Sequence, residues 1–247
     1  MDNEWIMGRH AVKEGIRAGN RVQKLWVAEG AGRGESGLGP ILNMAAEKNI
    51  PVQQVPRRKL DQMAEGGNHQ GLLAQVAAFG YVRLDDLFQR AEARGEPPFF
   101  LLLDGIEDPH NLGSILRTAD AAGVHGVIIP KRRAAGLTPV VAKTSAGAVE
   151  HVPVTRVTNL NRTADELKEK GVWLVGSDAH AKDSYAEIDY SIPLGLVIGN
   201  EGKGISRLLR ERCDFMVQLP MKGKVSSLNA SVAGALLMYE VMRKRQK

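Results

Sequence analysis

The chain has 247 residues, 43% of them hydrophobic and 25% charged, enough to bury a core and unlike a disordered or collagen-like composition. Its longest apolar run, Ala230 to Tyr239, is about half of the ~20 residues a membrane-spanning helix needs, so no span is expected. Thirty-three Lys and Arg against 28 acids give a net charge of +5 and a pI near 9.3, a balance that favours a polyanionic partner such as nucleic acid.

The chain begins Met1-Asp2-Asn3-Glu4, without the basic and apolar regions of a signal peptide, and Cys213 is its one cysteine. A reducing cytoplasm is therefore expected, with no disulfide framework and no cysteine metal cluster. Short strands are predicted at 25–28, 52–55 and 72–79, separated by helical patterns at 10–18, 40–49 and 57–65. Together they make residues 1–80 a small α/β unit. Within it Gly32-Arg-Gly34-Glu-Ser-Gly37 satisfies the dinucleotide-binding spacing. The following strand runs into Pro56-Arg57-Arg58 rather than an acid for the ribose, so a plain flexible loop is the better reading. Residues 81–97 turn charged and close on Pro97-Pro98; a linker is expected there.

From residue 98 apolar runs alternate with amphipathic segments. Strands are predicted at 99–103, 124–129, 172–175, 194–198 and 215–219, with helices at 111–122, 139–147, 160–170, 204–212 and 228–245. Apolar runs without alternation suit strands covered on both faces, hence a parallel sheet. The last helix places Leu228, Val232, Ala235, Leu236 and Tyr239 on one stripe and Arg243-Lys244-Arg245 at its negative end. With 5% aromatics no platform for stacking single-stranded bases is expected. The six histidines show no ligand spacing, and no G-x-S-x-G occurs, so neither a metal centre nor a serine hydrolase has local support.

Three segments carry more polar and glycine residues than plain core would. Asp104-Gly-Ile-Glu-Asp-Pro-His-Asn111 leaves a buried strand and enters a helix that also carries Arg117 and Asp120. Gly199-Asn-Glu201-Gly-Lys-Gly204 follows another buried strand. It resembles a phosphate loop but lacks the G-K-[ST] ending. Leu219-Pro-Met-Lys-Gly223 leads to Ser226-Ser227-Leu-Asn229-Ala-Ser231, where Ser226 or Ser227 as a helix cap explains only part of the polarity. All three lie at carboxyl ends of predicted strands, where open α/β sheets bind ligands, and convergence on one crevice is expected.

The motifs D-G-I-x-D-P-x-N-x-G-x-x-x-R-T-A at 104–119, I-G-N-E-G-x-G at 198–204 and L-P-M-x-G-x-x-x-S-L-N-x-S at 219–231 resemble the signatures of the SpoU (TrmH) family of RNA ribose 2′-O-methyltransferases. Ala230 departs from the valine many members carry. Residues 5–80, with Gly8-Arg-His-Ala-Val-Lys-Glu14 and Asn68-His-Gln-Gly71, resemble the L30e-like substrate-binding domain of the 23S rRNA guanosine 2′-O-methyltransferase subgroup. The resemblance implies an L30e-like α/β domain at 1–80, a linker at 81–97, and at 98–247 a SPOUT α/β domain with a deep trefoil knot, paired into a homodimer through the knotted region. It implies S-adenosyl-L-methionine as cofactor, held near Gly199, Leu219 and Leu228. It puts Asn111, Arg117, Glu201, Ser227 and Asn229 in the catalytic set, acting on RNA, in first place 23S rRNA. A guanidinium is a poor proton acceptor and a good paired donor, so Arg117 is expected to clamp phosphate and stabilise a developing alkoxide, with Asn111 orienting it. Glu201 is expected to hold loop amides or Arg117. Lys131-Arg132-Arg133 and Arg243 to Lys247 are candidate RNA contacts. Methylation of tRNA, a non-catalytic RNA-binding assembly factor and a dinucleotide enzyme using Gly32 to Gly37 are the competing readings.

Overall fold

A computed structural model describes residues 4–17, 22–31, 37–76, 79–179, 181–225 and 227–246, and the chain divides into two compact units, Met1–Phe79 and Gly80–Lys247.

The first unit runs β1 (Glu4–Met7), α1 (Arg9–Arg17), β2 (Val22–Ala28), α2 (Gly39–Glu47), β3 (Val52–Val55), α3 (Arg57–Met63) and β4 (Leu72–Val76). The sheet order is β1-β4-β2-β3, with β2 parallel to β3 and β4 antiparallel to both β1 and β2. Side chains alternate across β2. Leu25 and Val27 join Val12, Ile16, Leu38 and Ile41 in one core, while Ala28 packs on the opposite face with Val55, Leu60 and Leu73. The helices and three of the strands agree with the sequence reading, and β1 is an addition. Residues 32–36 and 77–78, hence most of the glycine spacing at 32–37 and the end of the expected strand 72–79, lie outside the described residues. The two motifs of this unit meet: Arg9 donates from its backbone N to Gln70 Oε1 and from Nε to Gln70 O, each at 3.2 Å. Buried His69 accepts the Gly71 N–H at Nδ1 and lies 2.8 Å from Asp61 through Nε2.

The second unit contains α4 (Leu84–Arg94), β5 (Phe99–Asp104), α5 (Pro109–Ala121), β6 (Gly126–Pro130), α6 (Pro139–Thr144), β7 (Val154–Val157), α7 (Leu160–Glu169), β8 (Trp173–Ser177), β9 (Asp183–Ser184), β10 (Leu194–Gly199), α8 (Arg207–Arg210), β11 (Phe215–Gln218) and α9 (Ala230–Arg245). Its seven strands form one parallel sheet in the order β7-β6-β5-β10-β8-β11-β9. The apolar run Phe99–Leu103 is 2% exposed or less along its length, as a central strand covered on both faces requires. Burial of each such side chain stabilises by about 1.5–3 kcal/mol.

Two expectations are corrected. Residues 84–94 of the expected linker form a helix that buries Leu87 and Ala91 in this unit and packs half-buried Leu84 and Phe88 beside them, while its charged side chains lie mostly toward solvent, which is why the stretch reads as charged loop. The helix expected at 204–212 shrinks to Arg207–Arg210, because residues 200–205 close a loop in which Gly204 has φ +65°. On α9 the buried side includes Ala230, Gly234, Leu237, Met238 and Val241, whereas Val232, Leu236 and Tyr239 of the apolar stripe read from the sequence are 47–48% exposed. The helix is apolar on both sides, so periodicity alone does not mark the buried face.

Candidate active site

The parallel sheet puts the ends of β5, β10 and β11 at one edge, and hydrogen bonds lock the segments that follow them. Asn200 Nδ2 donates to Gly105 O at 3.0 Å, Asn200 Oδ1 accepts the Gly202 N–H at 2.9 Å, and Ser206 N donates to Asp104 Oδ2 at 2.7 Å. The loop after β10 returns on itself through Gly204 N donating to Asn200 O at 2.7 Å. A Cβ at Gly199 would lie 2.3 Å from the Gly204 carbonyl carbon and 2.4 Å from Ile205 N. Glycine at 199 is thus required by the protein's own loop, where the sequence suggests close approach of a ligand.

Three residues from the three motifs form one cluster. Asn111 Nδ2 donates to Glu201 Oε1 at 2.6 Å; Asn229 Nδ2 donates to the same oxygen and to Asn111 Oδ1, each at 3.0 Å. A carboxylate only accepts, so Glu201 turns the Asn111 amine toward itself and leaves the Asn111 oxygen for Asn229. Asn229 Oδ1 in turn caps α9, accepting from Ser231 N at 2.9 Å and Val232 N at 3.3 Å. Ala230 N also donates to Glu201 Oε1 at 3.3 Å, which sets the carboxylate at the positive end of a sixteen-residue helix. Asn111 is 9% exposed and sits inside the first turn of α5, whose cap is Asp108 accepting the His110 N–H. The caps are therefore Asp108 and Asn229, and neither Asn111 nor Ser227 serves as one. Ser226 lies outside the described residues.

Beside this cluster opens a cleft of about 320 Å³, lined by Ser177–Ala179 after β8, Ile198–Gly204, Leu219, Met221, Ser227, Leu228, Ala230 and Ala233. All three residues expected at the cofactor, Gly199, Leu219 and Leu228, line it, as do Glu201 and Ser227. The β8 end, Ser177-Asp178-Ala179, is absent from the sequence reading; its signal is only its place after a buried strand. Asp178 there pairs with Arg210. The volume and mixed lining, apolar at Ile198, Leu219, Met221 and Leu228 and polar along the 199–204 backbone, suit a ligand with a flat apolar ring and hydrogen-bonding edges.

Arg117 stands apart. It is exposed, makes no hydrogen bond or ion pair among the described residues, and lies six residues beyond Asn111, about 9 Å along α5 and on another side of it. Asn111 and Glu201 hold each other rather than Arg117, so neither orients its guanidinium within one chain. Lys131–Arg133 are exposed just beyond β6, on the edge of the sheet that carries the cleft. The C-terminal arginines are mostly engaged: Arg243 pairs with Glu240, and Arg245 donates to the carbonyls of Tyr190, Ile192, Pro97 and Pro98. A larger hollow, about 560 Å³, lies among Pro97, Phe99, Ala122, Met242 and Arg245, and none of the three motifs reaches it. Burial pushes the Cys213 thiol up to about 12, which removes it as a nucleophile. No group of ligating side chains fit for a metal ion occurs among the described residues, and no helix there is long and apolar enough to cross a membrane.

Comparison with known proteins bears on this geometry. Residues 98–239 match the SpoU rRNA Methylase family, and residues 5–82 match the domain described as RNA 2′-O ribose methyltransferase substrate binding. The chain is 56% identical over 243 residues to YacO of Bacillus subtilis (strain 168), provisionally named a TrmH family tRNA/rRNA methyltransferase, covering 98% of this chain and 96% of that protein. It is 50% identical over 247 residues to a Staphylococcus haemolyticus (strain JCSC1435) protein of the same provisional name, covering 100% and 98%. The crystal structure of the SpoU methyltransferase AviRb from Streptomyces viridochromogenes, in complex with the cofactor AdoMet, superposes with a TM-score of 0.68 at 26% identity, over 99% of this chain and 91% of that one.

Proposed function

Since the chain belongs to the SpoU family of RNA methyltransferases, whose cofactor is S-adenosylmethionine, we propose that it methylates a ribose 2′-OH of RNA, with a guanosine of 23S rRNA as first candidate. The observation that carries this reading is the Asn111–Glu201–Asn229 cluster, drawn from three separate motifs and seated against the cleft. The N-terminal match to a 2′-O ribose methyltransferase substrate-binding domain supports the ribose as target.

The residues of the cleft fit an adenosyl group: the backbone of 199–204 and of Leu219 and Leu228 would hold it, with Met221 and Ile198 against the ring. When bound, S-adenosylmethionine supplies an electrophilic methyl on a sulfonium. The chain must place a poorly nucleophilic hydroxyl in line and assist loss of its proton. Asn111 and Asn229, oriented by Glu201, are assigned to positioning, and Ser227 to the cleft wall. Arg117 is assigned to the phosphate beside the reacting ribose, where a guanidinium forms paired hydrogen bonds. Lys131–Arg133 and the loop lysines Lys203, Lys222 and Lys224, all exposed, would guide the backbone of the RNA. The reaction belongs in the cytoplasm with the RNA.

We further assign a homodimer, the two copies meeting through α9 and the knotted segment expected from the family fold. Support comes from Val232, Leu236 and Tyr239, an exposed apolar stripe on an already half-buried helix. Arg117, apart from the cluster of its own chain, is then available to a neighbouring centre.

The test is transfer of labelled methyl groups into total RNA from cells that lack the endogenous modification, followed by nucleoside analysis and mapping. Label on a 2′-O-methylated nucleotide of 23S rRNA is expected. Label confined to tRNA would move the substrate, and cofactor binding without transfer to any RNA would leave an RNA-binding assembly factor.

A further inference from the structure

On the first unit's sheet, α3 covers only one end of its face, since seven residues span about 10 Å. Leu60 and Ala64 of that helix and its C-cap pack on Ala28, Val55 and Leu73. The rest of the face is a half-buried row of unusual composition. Trp5 of β1 lies opposite Gln75 of β4, which lies opposite Lys24 of β2; in the next row Trp26 stands between Leu73 and Gln53. The two indoles meet edge to face with centroids 6.3 Å apart, and Trp26 Nε1 donates to Gln75 Oε1 at 3.4 Å. Two of the chain's three tryptophans thus share one partly open sheet face, although the low aromatic content argues against any such platform.

Positive charge is gathered at the same place. Lys24 Nζ lies 4.4 Å and Lys59 Nζ 5.3 Å from the centre of the Trp26 ring, one from β2 and one from α3. Arg57 and Arg58, both exposed, begin α3 beside Lys59. None of these four cations forms an ion pair among the described residues, whereas Arg17 of the same unit pairs with Glu14. Two ammoniums near one ring repel each other, and a bridging phosphate would relieve that repulsion.

We propose that this face, Trp5, Trp26, Gln53 and Gln75 flanked by Lys24, Arg57, Arg58 and Lys59, binds an unpaired segment of the substrate RNA. Its phosphates would lie between the cations and a base against an indole. Unpaired RNA fits better than duplex, because only splayed bases offer a ring to stack and edges to the two glutamine amides. The inference rests on the reading of this chain as an RNA methyltransferase and adds the place where the first unit holds the strand.

The experiment uses the full chain and a fluorescein-labelled 20-nucleotide single strand of mixed-sequence RNA, with a duplex of equal length beside it. Anisotropy at several salt concentrations gives Kd, and methyl incorporation into total RNA gives kcat and KM. Trp26→Leu is expected to weaken single-strand binding about tenfold, and the pair Lys24→Gln/Lys59→Gln about five- to tenfold with a salt slope smaller by about 1.4. KM for RNA rises in parallel, while S-adenosylmethionine affinity and kcat at saturating RNA stay at the parent values. RNA should quench tryptophan emission in the parent and less so in Trp26→Leu. Parent-like Kd and KM in the lysine pair, whose exposed or half-exposed positions leave folding intact, would overturn the proposal even if the enzyme methylates RNA normally. If the parent methylates no RNA while these variants still lose single-strand affinity, the surface stands and the enzymatic reading falls.

Discussion

Glu201 Oε1 accepts from Asn111 Nδ2, Asn229 Nδ2 and Ala230 N at once, so the consequences of removing it can be separated. Glu201→Ala leaves a mostly buried amide without its acceptor, a cost of about 1–3 kcal/mol, and frees both asparagines to rotate. A lower unfolding midpoint and a kcat about a hundredfold down are expected, measured by thermal unfolding and by initial rates at saturating methyl donor. Glu201→Gln retains an oxygen for the same donors and should recover most of the stability; parent-like kcat in Glu201→Ala would remove the cluster from the reaction centre. At Gly199 the added methyl of alanine would sit inside van der Waals distance of the Gly204 backbone, so the 200–205 loop must move. Gly199→Ala should bind S-adenosylmethionine at least about tenfold more weakly by calorimetry while the far-ultraviolet circular dichroism is unchanged.

Among the elements, β5 and α5 depend on close packing that polar or missing side chains permit. Gly113 faces α6: a Cβ there would lie 2.5 Å from Thr144 Cβ and 3.1 Å from Ser145 N. Gly113→Ala is expected to destabilise by about 1–3 kcal/mol in denaturant unfolding, with partial recovery in Gly113→Ala/Thr144→Ser. The amino end of β5 is pinned by fully buried His125, whose Nδ1 accepts the Phe99 N–H at 3.0 Å while Nε2 faces Glu96 at 3.0 Å. Burial holds the His125 pKa below its usual 6.5, outweighing the Glu96 carboxylate that raises it. The unfolded chain therefore takes up this proton at higher pH than the native one, so stability is complete above about 6.5 and declines as pH falls below it. The unfolding midpoint should drop between pH 7 and 5.5 in the parent, and the drop should be shallower in His125→Asn.

For the whole molecule the decisive feature is α9, which buries Leu237, Met238 and Val241 within the chain and leaves Val232, Leu236 and Tyr239 uncovered. An apolar stripe of that kind suits a second copy better than water. Sedimentation should give twice the 26.8 kDa chain mass for the parent, and the variant Leu236→Glu/Tyr239→Glu should sediment as a monomer. Loss of methyl transfer in that monomer, with S-adenosylmethionine still bound, is expected if Arg117 serves a neighbouring centre; full activity in the monomer would show that one chain suffices.

The order of motifs along the chain, the parallel sheet and the crevice at its carboxyl edge were legible in the residues, because apolar runs, glycine turns and strand-end polarity are local properties. Asn111, Glu201 and Asn229 could be named through the family resemblance that their motifs carry. What only the tertiary structure decided is which groups face each other: that Glu201 holds two amides rather than Arg117, that Gly199 makes room for Gly204, that residues 84–94 pack as a helix, and that the apolar stripe of Val232, Leu236 and Tyr239 on α9 points outward. Each depends on contacts between residues far apart in sequence, and a helix apolar on every side or a charged helix with two buried positions carries no local mark of which face its neighbours will cover.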